Sequence, residues 1–272
     1  MLSQAEPSWE VLNEGDSESI FRVASLNVAG EDNSDRILND LRSVNEFANA
    51  DLLLLQEAEY SRFGTPRSIQ AVADALQMKV FYGAEKPNRD RTAMALAILS
   101  RYDLSARKKR KLKTFDRVLL QRERIALAVT VHAPMANIRI VNLHMDTRIN
   151  AGQRREQLEG ALRLLRGFNG PRIIGGDFNT ADVYWIKQVF PEPLGERPGE
   201  IVKMELEREG FATPFDGKSP TVRFWGYQLD WIFISGLLPR VSSIQKISFS
   251  DHRAVCVECM IPRAPLQTGI AR

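Results

Sequence analysis

Short apolar segments that stop at polar, chemically active side chains constrain the fold of this chain more than any other feature. The clearest segment, Pro171–Ile174, predicts a buried strand. Two glycines follow, and they allow the backbone to turn sharply and to approach another group closely. Asp177 and Asn179 come next, at a spacing that places both side chains on one side of an extended backbone. A carboxylate beside an amide that can hold a phosphate oxygen predicts a hydrolytic site, although these sequences also form ordinary turns.

The same pattern recurs at other predicted strand ends. Taken singly, each polar residue has an ordinary explanation, such as a surface carboxylate for Glu57 or a satisfied core position for His144. Together they lie where proteins built from sheets commonly place their sites, so we expect these strand ends to meet at one mouth. The residues concerned are Asn27, Glu57, His144, Asp230 and the triplet Ser250-Asp251-His252.

Three of the carboxylates offer oxygen ligands for a hard divalent cation. Glu57, with Asp251 or Asp177, supplies the donor type that Mg²⁺ or Mn²⁺ prefers in proteins. Such an ion polarises a phosphoryl oxygen and stabilises the leaving oxygen of a displacement. The sequence therefore predicts a metal-assisted reaction at phosphorus.

Neutral amides and a paired histidine fit the same reaction. Asn27 and Asn179 can donate to non-bridging phosphate oxygens without adding a charge. His252 is one of three histidines in the chain, and we expect it to pair with Asp230. Such a pair would fix the tautomer of the imidazole and raise its pKa.

Hydrophobic periodicity predicts two packed sheets rather than a doubly wound one. Helices are predicted around 34–49, 69–76, 158–165, 181–190 and 202–208. About ten strands are predicted, among them 79–82, 93–99, 125–131, 138–143, 221–225, 230–235, 241–247 and 253–260. So many strands with so few helices favour an α+β, four-layer sandwich, in which two mainly antiparallel sheets are flanked by helices. We expect one domain over 20–262, between an acidic tail at 1–19 and a C-terminal tail at 263–272.

Composition and the cysteines exclude several classes of protein. The 272 residues are 44% hydrophobic and 26% charged, which is typical of a globular chain. Without an apolar stretch of roughly 20 residues or the basic flank of a secretory signal, we expect a cytoplasmic protein with no membrane span. Cys256 and Cys259 have the spacing of a zinc or redox pair, but a strand would point them to opposite faces, which predicts buried structural thiols.

Positive charge is concentrated in one short run. The net charge is +3, and the first 20 residues hold five acidic and no basic side chains, so the remainder carries +8. Much of this charge lies at Arg107–Lys113. The run predicts either a contact with a phosphate backbone or a solvated hairpin tip or loop.

The polar motifs, taken in order, resemble the endonuclease/exonuclease/phosphatase superfamily, which includes DNase I-like nucleases, exonuclease III-like enzymes, neutral sphingomyelinases and inositol-polyphosphate 5-phosphatases. The resemblance extends from about Arg22 to Met260. Its motifs are Leu26-Asn27-Val28, Leu55-Gln56-Glu57, Asn142-Leu143-His144, Gly176-Asp177-Phe178-Asn179, Leu229-Asp230-Trp231 and Ser250-Asp251-His252.

This resemblance implies a DNase I-like fold and a divalent-metal-dependent hydrolase of phosphoester bonds. It makes Glu57 the principal metal ligand, with Asn27 and Asp251 around the metal. The remaining roles concern the phosphate and the protons: Asn179, Asn27 and His252 bind the phosphate, Asp177 orients or deprotonates the water, Asp230 supports His252, and His144 is a candidate acid for the leaving oxygen.

The leading hypothesis for the substrate is DNA, cleaved with Mg²⁺ or Mn²⁺ by a protein that we expect to be a monomer. A lipid or small-molecule phosphoesterase is the alternative, because Asp146-Thr147-Arg148 and nearby residues resemble sphingomyelinase-like members as much as nucleases. The chain lacks the tyrosine that abasic-site enzymes carry near Asn142–His144. We expect the substrate to be selected by the loops at Asp90–Arg91, Arg107–Lys113, Arg148–Arg155 and Pro191–Gly199.

Overall fold

A computed structural model describes residues 20–60, 67–85, 93–115, 123–186, 189–192, 197–223 and 226–262. The helices in these ranges are α1 (Ser34–Ser43), α2 (Asn45–Ala48), α3 (Arg67–Ala75), α4 (Ala151–Leu162) and α5 (Pro198–Arg208). The strands up to the middle of the chain are β1 (Ile20–Asn27), β2 (Leu52–Tyr60), β3 (Lys79–Ala84), β4 (Ala93–Ser100), β5 (Leu104–Lys111), β6 (Ile125–Ala133) and β7 (Ala136–His144). The later strands are β8 (Arg172–Asp177), β9 (Tyr184–Ile186), β10 (Phe190–Glu192), β11 (Asp230–Ser235), β12 (Leu238–Lys246) and β13 (Arg253–Met260).

Two large sheets carry the fold. Sheet A has the strand order β12-β13-β1-β2-β4-β3, and sheet B has the order β11-β8-β7-β6-β5. Strands β9 and β10 form a separate hairpin. Neighbouring strands are antiparallel except in the pairs β1–β2 and β7–β8, whose strands are parallel. The C-terminal ends of two parallel neighbours lie at the same end of their sheet. The strands β1, β2, β7 and β8 therefore all end on the side of the sandwich where the site forms.

The run of four leucines in β2 shows how alternation builds the layers. Leu52 and Leu54 belong to the apolar cluster between the sheets, whereas Leu53 and Leu55 belong to the cluster under α1 and α3. Successive side chains of a strand point to opposite faces, so one apolar run fills two cores. Each such leucine contributes roughly 1.5–3 kcal/mol through burial. Helices α4 and α5 cover the other face of sheet B, and the predicted four-layer α+β sandwich is confirmed.

The two cysteines lie on opposite faces of β13, as predicted. Cys256 is part of the cluster under α1 and α3, and Cys259 is part of the cluster between the sheets. Burial raises the pKa of both thiols. Both thiols are buried and neither forms a disulfide. Because they lie on opposite faces of the strand, they cannot share a zinc or redox site.

Two helix predictions are wrong in detail. The helix expected over 34–49 is interrupted at Val44, which is extended, and α2 follows separately. The Ser43 hydroxyl (3.1 Å) and the Val44 N–H (3.2 Å) both donate to the Asp40 carbonyl where α1 ends. The helix expected at 181–190 is replaced by β9 and β10, because the Asn150 side chain bonds both the N–H (2.7 Å) and the carbonyl (3.3 Å) of Trp185.

The basic run and the strand expected at 221–225 also differ from expectation. The run is not a hairpin tip or loop, since most of it lies in β5, at the edge of sheet B. Of 221–225, the described part forms only a single bridge between Val222 and His252, and residues 224–225 lie outside the described ranges. The predicted tails at 1–19 and 263–272 lie outside them too.

No helix within the described ranges is long and apolar enough to cross a membrane.

Candidate active site

The polar strand ends predicted from the sequence meet at one end of the sandwich. His144 at the end of β7 pairs in register with Asp177 at the end of β8, and Asp177 pairs in turn with Asp230 at the start of β11. From sheet A, the Asn27 amide donates to Asp177 Oδ2 (3.1 Å). This hydrogen bond joins the two sheets directly, so the centre of the site lies between them.

Two glycines allow the strands to approach this closely. A Cβ on Gly176, whose φ is 139°, would lie 1.9 Å from the Leu143 carbonyl oxygen. A Cβ on Gly175 would lie 2.7 Å from Leu54 Cδ1 of the facing sheet. Gly176 therefore requires glycine both for space and for its backbone conformation, whereas a Cβ at Gly175 would displace the end of the Leu54 side chain.

Glu57 reaches the site because β2 is irregular at this point. The register of β2 against β4 shifts between Leu55 and Ala58, and Glu57 has a φ of 52°. A bulge of this kind redirects a side chain out of the regular alternation. As a result, Glu57 Oε1 lies 3.7 Å from His144 Nε2.

Buried amides hold this bulge against the second sheet. The Gln56 amide donates to Asn142 Oδ1 (2.8 Å), and the Asn142 amide donates to the carbonyls of Leu55 (2.9 Å) and Ala97 (2.8 Å). Gln56 and Asn142 belong to the motifs noted in the sequence, and their contacts give them a positioning role.

Asp177 lies at the centre of the cluster. Its Oδ1 accepts the backbone N–H of Asn179 (2.9 Å), whose φ of 50° closes a tight turn. Its Oδ2 lies 3.4 Å from His144 Nε2 and 3.9 Å from His252 Nε2. Burial, followed by repulsion from Asp230, raises the pKa of Asp177 to about 7, against the opposing attraction of His252. This carboxyl group therefore exchanges a proton near neutral pH.

His252 and Asp230 form the pair expected from the sequence. His252 Nδ1 lies 2.8 Å from Asp230 Oδ2. The Ser250 hydroxyl accepts the His252 backbone N–H (3.0 Å) and donates to the Asn27 carbonyl (2.7 Å), which fixes the start of β13 against β1. Burial is the largest single influence and lowers the pKa of His252, but the charge and hydrogen bond of Asp230, together with the charges of Asp177 and Asp251, outweigh it and raise the pKa to about 10. His252 is thus a cation at neutral pH.

The second histidine has a different partner, which the sequence reasoning missed. Arg124 Nη1 lies 2.9 Å from His144 Nδ1, and the guanidinium is held by Glu85 (3.1 Å) and Asp146 (3.5 Å). Arginine can only donate hydrogen bonds, so Nδ1 must accept and the proton of a neutral imidazole must sit on Nε2. His144 therefore presents an N–H to Asp177. In the sequence, the one feature that marks Arg124 is its position immediately before the apolar run of β6.

Asn179 and Asp251 occupy less central positions. One N–H of the Asn179 amide donates to the Met145 carbonyl (2.9 Å), which leaves the second N–H for another acceptor. Asp251 is exposed, and its carboxylate makes no hydrogen bond or ion pair with another residue in the described part of the chain. Its charge nevertheless contributes to the raised pKa of His252.

The donor set fits a divalent cation. Asp177, Asp230 and His252 have ligand atoms within 4.8 Å of one another. However, the short contact between His252 Nδ1 and Asp230 Oδ2 holds a proton, so these two atoms are not free to bind a metal. Asp230 Oδ1 is buried without a hydrogen-bond partner among the described residues. The pKa of Asp177 is raised by burial first, and then by repulsion from Asp230 and Glu57. Such an excess of oxygen donors and negative charge favours a hard cation.

Around the mouth, only part of the predicted substrate loops is described. Asp90–Arg91 and residues 193–196 lie outside the described ranges. Arg148 stacks on the ring of Trp185 (5.4 Å to the ring centroid). Arg154 is buried and donates to the carbonyls of Asp146, Ile149 and Phe178, so it supports the loop after His144.

Solved structures share this fold. An endonuclease/exonuclease/phosphatase from Beutenbergia cavernae DSM 12333 has a TM-score of 0.69 at 16% identity, over 89% of this chain and 72% of that one. The human Nocturnin catalytic domain with bound sulfate has a TM-score of 0.66 at 18% identity, over 90% and 95%. ANGEL2, a 2′,3′-cyclic phosphatase, has a TM-score of 0.64 at 16% identity, over 90% and 97%. No curated protein matches the chain significantly.

The sequence itself matches a family description over most of its length. Residues 24–252, which include every predicted site residue, match the Endonuclease/Exonuclease/phosphatase family. The chain therefore belongs to this family and is a metal-dependent hydrolase of phosphoester bonds.

Proposed function

We propose that the protein is a nuclease that hydrolyses phosphodiester bonds, with DNA as the first substrate to test and Mg²⁺ or Mn²⁺ as the cofactor. The observation that carries this proposal is the arrangement of two histidines around Asp177. One is a cation paired with Asp230, and the other is a neutral donor fixed by Arg124. Hydrolysis of a phosphodiester develops negative charge on the phosphate and releases a leaving oxygen. The His252 cation suits the charge, and the neutral His144 N–H suits the leaving oxygen.

Glu57 is the principal metal ligand in this proposal, with Asn27 and Asp251 as the further ligands. Glu57 is redirected into the mouth by its bulge, and Asp251 is exposed beside His252. When bound there, a divalent cation polarises a phosphoryl oxygen and stabilises the leaving oxygen. Oxygen donors alone favour Mg²⁺ or Mn²⁺ over softer metals.

The other site residues bind the phosphate and transfer protons. Asp177, with a pKa of about 7, orients the attacking water and accepts its proton as a general base. The free N–H of Asn179 donates to a non-bridging oxygen, and the His252 cation binds the phosphate from the opposite sheet. His144, whose Nε2 lies 3.4 Å from Asp177 Oδ2, is the candidate acid for the leaving oxygen.

Cleavage of plasmid and single-stranded DNA with Mg²⁺ or Mn²⁺ tests the proposal, with Asp177→Asn as the matched inactive control. We expect cleavage by the parent protein, complete loss with a chelator, and turnover lower by at least ~10²-fold in the variant at an unchanged melting temperature. Intact DNA and intact RNA with both metals would refute the nuclease proposal. Cleavage of RNA instead of DNA would keep the reaction and change the substrate.

A lipid phosphodiesterase is the second candidate, because the hairpin beside the mouth exposes apolar side chains. Phe190 is 64% exposed and Ile186 is 39% exposed, and both are within six residues of Trp185. Exposed apolar residues of this kind suit insertion into a lipid surface. Release of phosphocholine from sphingomyelin vesicles, with loss of activity in Phe190→Ser, would favour this candidate over the nuclease.

A further inference from the structure

Two loops that leave the candidate site are joined to each other on the sheet B side of the mouth. The first follows His144 at the end of β7, and the second follows Asn179, just beyond β8. Their contacts begin at the site itself, where the Asn179 amide donates to the Met145 carbonyl (2.9 Å). Further along, the Asn150 side chain bonds both backbone polar groups of Trp185 in β9. The hairpin of β9 and β10 is therefore fixed against the loop after His144.

Arg148 lies within this loop and stays close to the site. It is four residues beyond His144, so the two Cα atoms are at most about 14 Å apart. The Arg148 side chain is exposed, and its guanidinium carbon lies 5.4 Å from the centroid of the Trp185 ring. It forms no ion pair with a carboxylate in the described part of the chain. This side of the mouth thus presents a cation that is held over an aromatic ring and is not neutralised by a described acidic residue.

The Trp185 ring lies on the side of the hairpin that faces this loop. In the antiparallel pairing of β9 and β10, Trp185 lies opposite Pro191, whereas Ile186 lies opposite Phe190. Adjacent residues of a strand point to opposite faces. Trp185 therefore projects away from the exposed apolar face that Ile186 and Phe190 form, and the ring and the apolar face are separate surfaces.

A guanidinium over an indole ring suits one class of ligand. Nucleobases stack on aromatic side chains and on the planes of arginine guanidinium groups. Choline headgroups also bind aromatic faces, but they are cations, and the charge of Arg148 over the ring would repel them. The chemistry of this pair therefore favours a nucleobase over a phosphocholine headgroup.

We propose that Arg148 and Trp185 form a stacking subsite for a nucleobase of the nucleic acid whose scissile phosphate lies at Asp177. The proposal rests on the proposed nuclease function and deepens it, because it requires a substrate that carries bases. Since the backbone of Arg148 is at most about 14 Å from that of His144, the stacked base lies within a few nucleotides of the cleaved bond, at ~3.4 Å per nucleotide.

Two simpler roles for Arg148 make different predictions. As a phosphate contact, Arg148 would act through its charge alone, and lysine would replace it. As a cover for Trp185, it would only stabilise the hairpin, and its loss would weaken binding of all ligands alike. A stacking subsite instead requires the planar guanidinium, which lysine lacks, and it recognises bases rather than the phosphate backbone.

The test compares Arg148→Lys and Trp185→Leu with the control Arg172→Lys. Arg172 also lies over an aromatic ring (4.8 Å from the Phe211 centroid), but it is at the start of β8, at the opposite end of the strand from Asp177. The ligands are fluorescently labelled hexathymidylate and an abasic strand of the same length, which has the same phosphates and no bases. Affinity is measured by fluorescence anisotropy with chelator present, so that neither strand is cleaved.

For the stacking subsite, we expect Arg148→Lys and Trp185→Leu to bind hexathymidylate at least ~5-fold more weakly, because the stacking of one base is lost. Their affinity for the abasic strand should equal that of the parent, and the control should resemble the parent on both strands. An unchanged affinity of Arg148→Lys for hexathymidylate would overturn the proposal. An equal loss on both strands would also overturn it, because that loss would indicate a phosphate contact or a structural effect. If Trp185→Leu does not fold, the result for Arg148→Lys decides.

Binding with chelator present does not depend on catalysis, so the two proposals fail separately. If the parent cleaves neither DNA nor RNA, the proposed function fails, while a base-dependent loss of affinity in Arg148→Lys still supports the subsite. If the parent cleaves nucleic acid and Arg148→Lys binds both strands as the parent does, the nuclease stands and the subsite does not.

Discussion

Replacing Asp230 with asparagine removes the charge beside His252 while keeping an oxygen at hydrogen-bond distance from Nδ1. His252 has a pKa of about 10, and Asp230 is the strongest of the groups that raise it. Loss of one opposing charge at 2.8 Å lowers such a pKa by about 1–3 pH units. We therefore expect a pKa of about 7–9 in Asp230→Asn, which corresponds to roughly 1.4–4 kcal/mol less stabilisation of the imidazolium.

NMR titration of the histidine Cε1–H resonances in metal-free protein measures this pKa directly. The chain has three histidines, so replacement of each by glutamine assigns the spectrum. His132 contacts Asn137 and Ser105, far from the site, so its resonance serves as a reference in both proteins. A parent His252 that titrates near 6.5, or one that Asp230→Asn leaves unchanged, would refute the reasoning.

The same pair should govern stability against pH. Because the folded-state pKa of His252 is raised, the pair contributes stability that is fully present below about pH 6.5 and is lost as pH rises through about 10. The melting temperature of Asp230→Asn should thus lie furthest below that of the parent at about pH 6 and approach it near pH 10. A constant difference across this range would contradict the assignment.

Three further predictions concern other parts of the molecule. Gly176→Ala should lose at least ~3 kcal/mol of unfolding free energy and melt about 6–12 °C lower, because its Cβ would meet the Leu143 carbonyl at a positive φ. Gly152→Ala, the control with open space around its Cβ, should melt at or above the parent temperature. Equal melting temperatures of the two variants would contradict this prediction. Glu57→Gln should bind Mn²⁺ at least ~10-fold more weakly by calorimetry with an unchanged circular dichroism spectrum, and an unchanged affinity would remove Glu57 from the metal site. Cys256 and Cys259 should react with a thiol reagent only after unfolding, because burial raises the pKa of both; rapid reaction in the folded protein would show that β13 opens.

The sequence predicted those features that depend on local pattern. The apolar run at 171–174 specified the buried strand β8, and the two glycines before Asp177 specified a close approach of backbones. The expected pairing of His252 with Asp230 is also present, although the two residues lie at the starts of strands in different sheets.

Features that depend on contacts distant in sequence were not predictable. Arg124 lies 20 residues from His144, and a basic residue before a strand ordinarily faces solvent, so nothing local indicated a buried guanidinium that fixes a tautomer. Similarly, the Asn150 side chain accepts a hydrogen bond from the Trp185 backbone, 35 residues away. This contact favours the strand β9 over the helix that the periodicity of 181–190 predicts. Asp251 shows the opposite case, since its motif is present but its exposed carboxylate forms no hydrogen bond or ion pair with another described residue.

The position of β13 has a consequence for how the enzyme matures during synthesis. β13 is the last strand of the described chain, yet it lies in sheet A between β12 and the first strand, β1. While the chain is being translated, β1 must therefore keep one edge open until nearly all the other strands have been made. Asn27 at the end of β1 and His252 just before β13 are likewise brought together at the final step. A nascent chain thus cannot bring His252 beside Asn27 before synthesis has reached β13.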